Sequence, residues 1–236
     1  MRVHWLQHAP EDDLGCIAPW LAARGHMVTR TGLYEGGPLP ALSGFDALLV
    51  MGGAMNVDEE AVHPWLVAEK AFLRAVLADP GKRVLGICLG AQLIAEQLGG
   101  SVGRNRETEV GWFDVQLTEA GRGFDALSEW PSSMPFFHWH GDAFDLPAGA
   151  TRLAYSAACD QQAYSYDDGR VVCLQFHPEV TSASVRVWLE HPQTHPAPGP
   201  FVQAAGAMRQ DIAKFAAANR LLVSLLDRWL DLNRVV

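Results

Sequence analysis

Apolar and polar positions alternate with two different periods over the first hundred residues. Short apolar runs are separated by amphipathic stretches, the pattern of parallel βαβ units. Residues 2–7 (RVHWLQ) alternate as a strand. A helix is expected over about 11–24, with Glu11, Asp12 and Asp13 in its first turn, Leu14, Ile17 and Leu21 on its buried stripe, and Gly25 at its end. Strands are expected at 27–31 and 46–51, joined by a Gly/Pro-rich loop, then a second helix over about 64–78 that stops ahead of Pro80. The run RVLGI, 83–87, shows almost no alternation, which suits a central strand covered on both faces.

The middle of the chain is richer in strands, at 109–118, 135–139 and 151–156. A hairpin follows, in which QAYSY (162–166) meets RVVCLQF (170–176) across Asp167-Asp168-Gly169, a strong turn signal. A short helix is expected over about 182–190, then a proline-rich connection over 191–200. Residues 201–232 are helical in pattern, with Asn219 as a break or cap, and Leu221, Leu222, Leu225, Leu226, Trp229 and Leu230 at helical spacing. That stripe is expected to pack on the chain's own sheet. The expected architecture is α/β: a doubly wound, mostly parallel sheet flanked by helices, with an added C-terminal helical segment. It forms one domain over 1–236, with a core to about residue 190.

Composition narrows the function. With 18 Lys and Arg against 27 Asp and Glu, the net charge is −9, which disfavours nucleic acid or anionic lipid as the main partner. No apolar run approaches the roughly 20 residues of a spanning helix, and MRVHWLQHAP does not read as a signal peptide. Four cysteines in 236 residues are too few for a disulfide scaffold. A reduced, cytoplasmic protein is expected, in which one cysteine is free to act as a nucleophile.

The stretch Gly86-Ile87-Cys88-Leu89-Gly90-Ala91-Gln92 follows the buried strand directly and opens an apolar helix. Strand, G-x-C-x-G and helix form a nucleophile elbow with sulfur in place of oxygen. The sharp turn forces the nucleophile into an unfavourable backbone conformation and demands small neighbours, which Gly86 and Gly90 supply. It also sets the thiol at a helix N-terminus, where the dipole favours a thiolate. There the backbone N–H of Leu89 can donate to an oxyanion. The bland alternative is a buried cysteine in an ordinary strand-to-helix turn.

A nucleophilic cysteine needs a base, and the base needs a group that orients it. Among nine histidines, His177 is distinctive: it ends the strand VVCLQF and precedes Pro178 and Glu179. Pro178 stops further pairing, so His177 and Glu179 can turn the same way, the carboxylate accepting from one ring nitrogen while the other faces a thiol.

These residues resemble the triad (class I) glutamine amidotransferases. GICLGAQ is similar to the family's elbow, and the HPE of QFHPEV (175–180) to its His-x-Glu. MGGAMNV (51–57) is similar to its glycine-rich turn after the third strand. HGD (140–142) is similar to the glutamine-pocket segment of the GMP synthase amidotransferase domain, and EVGW (109–112) to a recurring family segment. The resemblance spans about residues 46–180.

It implies that Cys88 attacks the γ-carboxamide of glutamine or a related γ-glutamyl compound, with His177 as base and then acid and Glu179 holding the imidazole. Ammonia would leave as a γ-glutamyl thioester forms, and the thioester would then be hydrolysed. The oxyanion would lie between the N–H groups of Gly53 and Leu89. Gly52, Gln92, Trp139, Gly141 and Asp142 would bind substrate. No cofactor or metal is implied. The ammonia passes to a separate synthetase, or the chain acts alone.

Other groups are set aside. His138 and His140 share a strand face in possible metal geometry, without an evident third ligand. His191 and His195 are expected to be solvated, Cys173 to be a small core hydrophobe, and Cys16 to need no function. Cys159 could lie near the pocket, and Asp160 and Gln162 carry no assigned role. The competing function classes are a cysteine-elbow α/β-hydrolase, a glyoxalase- or chaperone-like relative of the flavodoxin-like fold, and a degenerate binding module. The first expects an acid between nucleophile and histidine. The second commonly has a histidine where this chain has Leu89.

Overall fold

The structure, a computed structural model, describes residues 1–190, 197–209 and 212–231. Its strands are β1 (Arg2–Gln7), β2 (Met27–Gly32), β3 (Ala47–Val50), β4 (Arg83–Ile87), β5 (Val102–Leu117), β6 (Ser133–Phe144), β7 (Thr151–Ser156), β8 (Ala163–Tyr166) and β9 (Val171–Leu174). The expected helices correspond to α1 (Ile17–Ala23), α2 (Trp65–Leu77), α3 (Leu89–Gln97) and α5 (Ser182–Glu190), and the expected helical tail to α6 (Ala205–Arg209) and α7 (Ile212–Asp231); α4 (Glu119–Gly123) completes the set. The strands form one mixed sheet in the order β2-β1-β3-β4-β9-β8-β7-β5-β6. Pairings from β2 through β9 are parallel, and those from β9 through β6 are antiparallel.

Period-two alternation divides the central strands between two cores. Leu48, Val50, Val84, Val171 and Cys173 face the layer holding α2 and α3. Leu49, Leu85, Ile87, Val172 and Leu174 face the opposite layer, with Ile17 and Leu21 of α1, Val185 and Leu189 of α5, and the tail helix α7. Leu222, Leu225, Leu226 and Trp229 are fully buried there, and the Trp229 indole donates to the Gly169 carbonyl at 3.0 Å. The tail's apolar stripe is therefore covered by this chain itself. In the hairpin between β8 and β9, Asp167, Asp168 and Gly169 all take positive φ, at 53°, 51° and 83°. Gly169 bears the left-handed geometry at no steric cost, whereas the two aspartates tolerate it through their short polar side chains.

Four local expectations are corrected. The first helix begins at Ile17, so residues 11–16 lie outside it. Gly15 has φ 48°, and a Cβ there would lie 2.0 Å from the Glu179 carbonyl oxygen, which accepts from the Cys16 N–H at 2.9 Å. Docking on that carbonyl outcompetes the helical preference of the acidic segment. Strands β5 and β6 run longer than the apolar pattern suggests, because each continues into polar residues that pair with the other. Residues 201–203 are not helical: Val202 bridges Val110, and the Gln203 side chain pairs with both the N–H and the carbonyl of Trp112. Asn219 neither breaks nor caps a helix but lies inside α7, where its amide donates to the carbonyls of Pro178 and Val180 at 2.8 and 3.0 Å. His191 and His195 lie outside the described residues. Among the described residues, no helix is long and apolar enough to cross a membrane.

Candidate active site

Cys88 stands between β4 and α3 with φ 51° and ψ −110°, a costly conformation for a residue with a side chain. Close packing enforces it. A Cβ on Gly90 would lie 2.0 Å from the Val50 carbonyl oxygen, and one on Gly86 would lie 2.9 Å from the Ala91 nitrogen. The Cys88 N–H still donates to Leu174 at 2.8 Å, and its carbonyl accepts the first helical bond, from Gln92 at 3.1 Å. Leu89 opens α3, so its N–H has no partner within its own helix.

His177 follows β9 and is pinned by its backbone, whose N–H donates to the Phe137 carbonyl at 2.7 Å. Its Nδ1 lies 2.7 Å from Glu179 Oε1, with both side chains buried. The Cys88 thiol lines the same pocket as this imidazole and donates to the Trp139 carbonyl at 3.9 Å. Burial opposes charging His177, but the Glu179 carboxylate and Cys88 outweigh it, so its pKa lies well above that of ordinary imidazole. An imidazole held against a carboxylate in this way can accept a proton and hold it as imidazolium.

The pocket in front of Cys88 has a volume of about 400 Å³, and Gly53, Gln92, Trp139, Gly141, Asp142 and His177 are among the residues lining it. Gly52 lies behind this wall: a Cβ there would be 3.1 Å from His177 Cε1 and 3.6 Å from Cys88 Cβ. Gln92 is not a free arm. Its amide donates to the Asp142 carbonyl at 3.1 Å and to Gln175 Oε1 at 3.2 Å. Gln175 in turn donates to the Cys88 sulfur at 3.6 Å. Gly141 leaves room for Arg104, whose guanidinium nitrogen would sit 2.2 Å from a Cβ at that position.

Gln175, Asp12 and Arg104 are among the lining or contacting residues that escape the sequence reading. Gln175 is detectable in principle, because two-residue alternation sets it on the same strand face as His177. Asp12, expected in a helix turn, lines the pocket with Glu11, and burial pushes its carboxyl up to about 7. Arg104 carries no local signal.

The pair His138 and His140 does have a third neighbour, contrary to expectation: Glu109, brought opposite His140 by the register of β5 on β6. Its Oε2 lies 3.1 Å from His140 Nε2 and 4.0 Å from His138 Nδ1. The carboxylate also accepts from the Ser156 hydroxyl and the Gln162 amide, each at 2.7 Å, so both oxygens are already engaged by protein donors. Gln162 thus acquires a partner where none is foreseen from sequence. Cys159 does not line the pocket; its thiol donates to Gln161 and burial pushes it up to about 12. A larger groove of about 980 Å³ lies between α1 and α7, where burial pushes the Cys16 thiol up to about 12.

Comparison with known proteins bears on this geometry. Residues 28–187 match the family model "Glutamine amidotransferase class-I". The chain is 34% identical over 217 residues to the glutamine amidotransferase-like protein YfeJ of Salmonella typhimurium, covering 89% of this chain and 90% of that one. It is 34% identical over 140 residues to a glutamine-hydrolysing GMP synthase subunit of Thermoplasma acidophilum, covering 59% of this chain and 66% of that protein. A solved glutamine amidotransferase from Thermotoga maritima superposes with a TM-score of 0.85 at 29% identity, covering 98% of each chain. The chain belongs to the class I glutamine amidotransferase family.

Proposed function

We propose that this chain hydrolyses the γ-amide of glutamine, or of a related γ-glutamyl compound, through a thioester on Cys88. His177 takes the thiol proton and delivers it to the leaving nitrogen; Glu179 holds the imidazole in register. The N–H groups of Gly53 and Leu89 stabilise the tetrahedral oxyanion. Water then attacks the thioester with His177 as base, giving glutamate and free enzyme. The observation that carries this reading is that Cys88, on a positive-φ elbow at a helix N-terminus, shares one pocket with His177, whose Nδ1 lies 2.7 Å from Glu179 Oε1.

We further propose that the chain turns over its substrate alone. The apolar stripe of α7, the natural candidate for a docking face, is buried against its own core. The second reading, in which the chain feeds ammonia to a separate synthetase, is favoured by the similarity to a GMP synthase subunit.

The test is steady-state ammonia release by the purified chain across glutamine and a panel of γ-glutamyl amides, with Cys88→Ala as control. Turnover that is lost in Cys88→Ala supports the reading; turnover that survives in Cys88→Ala overturns it. Turnover that appears only after a second protein is added establishes the synthetase-partner reading instead.

A further inference from the structure

Behind the turn that carries Gly52 and Gly53 lies a buried ion pair outside the set described so far. His8, just beyond β1, has its Nδ1 2.9 Å from the Gly52 carbonyl oxygen and its Nε2 2.9 Å from Glu69 Oε1 of α2. Neither side chain has any exposed surface. Both ring nitrogens face acceptors, so satisfying both requires two N–H donors, the protonated ring. Burial disfavours that form, but the Glu69 carboxylate outweighs it and the pKa of His8 is raised; Asp12 adds a smaller pull in the same direction. The Trp65 ring packs against the imidazole, with centroids 5.6 Å apart.

The carbonyl of Gly52 and the N–H of Gly53 belong to one planar trans peptide and so point in opposite directions. Anchoring the oxygen on His8 aims the N–H away from it. Gly53 lines the pocket in front of Cys88, whereas His8 is absent from that lining. Two successive glycines are otherwise free to flip this peptide. A flip would turn the carbonyl oxygen toward the pocket and leave a buried N–H of His8 without an acceptor, which is unfavourable.

We propose that His8 and Glu69 are positioning residues that lock the Gly52–Gly53 peptide with its N–H presented to the oxyanion. This rests on the reading of Gly53 as an oxyanion donor. The device explains why a fully buried imidazole and carboxylate stand behind a glycine turn that could be stabilised by apolar packing alone.

The experiment compares wild type, His8→Leu, His8→Gln and Glu69→Gln by two measurements. One is kcat and KM for glutamine, or for whichever γ-glutamyl amide the wild type turns over fastest. The other is the rate at which iodoacetamide alkylates Cys88, which reports the thiol and needs no oxyanion donor. Loss of one oxyanion donor costs about 10²–10³ in kcat, so His8→Leu is expected to lose at least about 10²-fold in kcat with KM changed less than about threefold. Its alkylation rate should stay near that of wild type. His8→Gln, which restores an amide donor to Gly52, should recover about tenfold or more of the kcat lost in His8→Leu.

Unchanged kcat in His8→Leu overturns the proposal, as does alkylation that falls in step with kcat, the sign of a collapsed elbow. Where His8→Leu fails to fold, Glu69→Gln decides by the same criteria. A wild type that releases no ammonia from any γ-glutamyl amide overturns the hydrolase reading and this one together. An active wild type with an indifferent His8→Leu overturns this one alone.

Discussion

Gly90 lies against Val50 so closely that a Cβ on it would sit 2.0 Å from the Val50 carbonyl oxygen, inside any allowed contact. The elbow's glycine is thus a packing requirement between α3 and β3 as well as a turn residue. Gly90→Ala is expected to lower stability by roughly 3 kcal/mol, a loss typical of overpacking against backbone, and to remove ammonia release. Thermal unfolding together with the activity assay checks this; a variant with wild-type Tm and turnover would contradict the packing account.

The short contact between His177 and Glu179 predicts unequal losses. His177→Ala removes the base and is expected to cost on the order of 10³-fold or more in kcat. Glu179→Gln keeps an acceptor oxygen beside Nδ1 but not the charge, so its loss should be smaller while remaining clearly measurable. Wild-type kinetics in Glu179→Gln would move the third role to another residue.

Asp12 predicts a pH dependence of stability. Its carboxyl titrates at about 7 in the folded chain and near an ordinary aspartate, about 4, when unfolded. Between those values the folded state holds the additional proton, so the stability this group contributes is full at low pH and is lost as pH rises through 7. In Asp12→Asn that loss is absent. The variant should therefore gain on wild type in chemical-denaturation stability as pH rises from 5 to 8, and equal gains at both ends would refute the assignment.

Asn219 predicts a long-range effect on the site. Its amide serves two carbonyls flanking Glu179, and Asn219→Ala should cost about 2 kcal/mol from two lost hydrogen bonds. A fall in kcat larger than the fall in iodoacetamide reactivity of Cys88 would mark loosening of the His177–Glu179 loop. Unaltered kcat would confine Asn219 to stability.

What is legible in the chain follows from how local each signal is. The elbow is written in seven consecutive residues and the His177–Glu179 pair in three, so their positions can be read without knowing the fold. Glu109 and His140 lie far apart in sequence and meet only through the register of β5 on β6. Asp12 misleads because an acidic run ahead of an apolar stripe resembles a helix start. The competing interaction, the Cys16 N–H on the Glu179 carbonyl, joins segments from opposite ends of the core. His8 fails to stand out for the same reason: its partners, Gly52 and Glu69, belong to other elements.

The clamp from α7 onto the His177–Glu179 loop also imposes an order in time. A nascent chain that has emerged only through Glu179 already carries the elbow, the imidazole and the carboxylate, yet lacks Asn219 and the buried face of α7 that hold the loop's carbonyls. Because synthesis runs from the N-terminus, Cys88 is made well before the segment that secures the His177–Glu179 loop. The loop that carries His177 and Glu179 is thereby fixed only once the later helix has docked, and an incomplete chain holds the thiol beside a loop not yet secured.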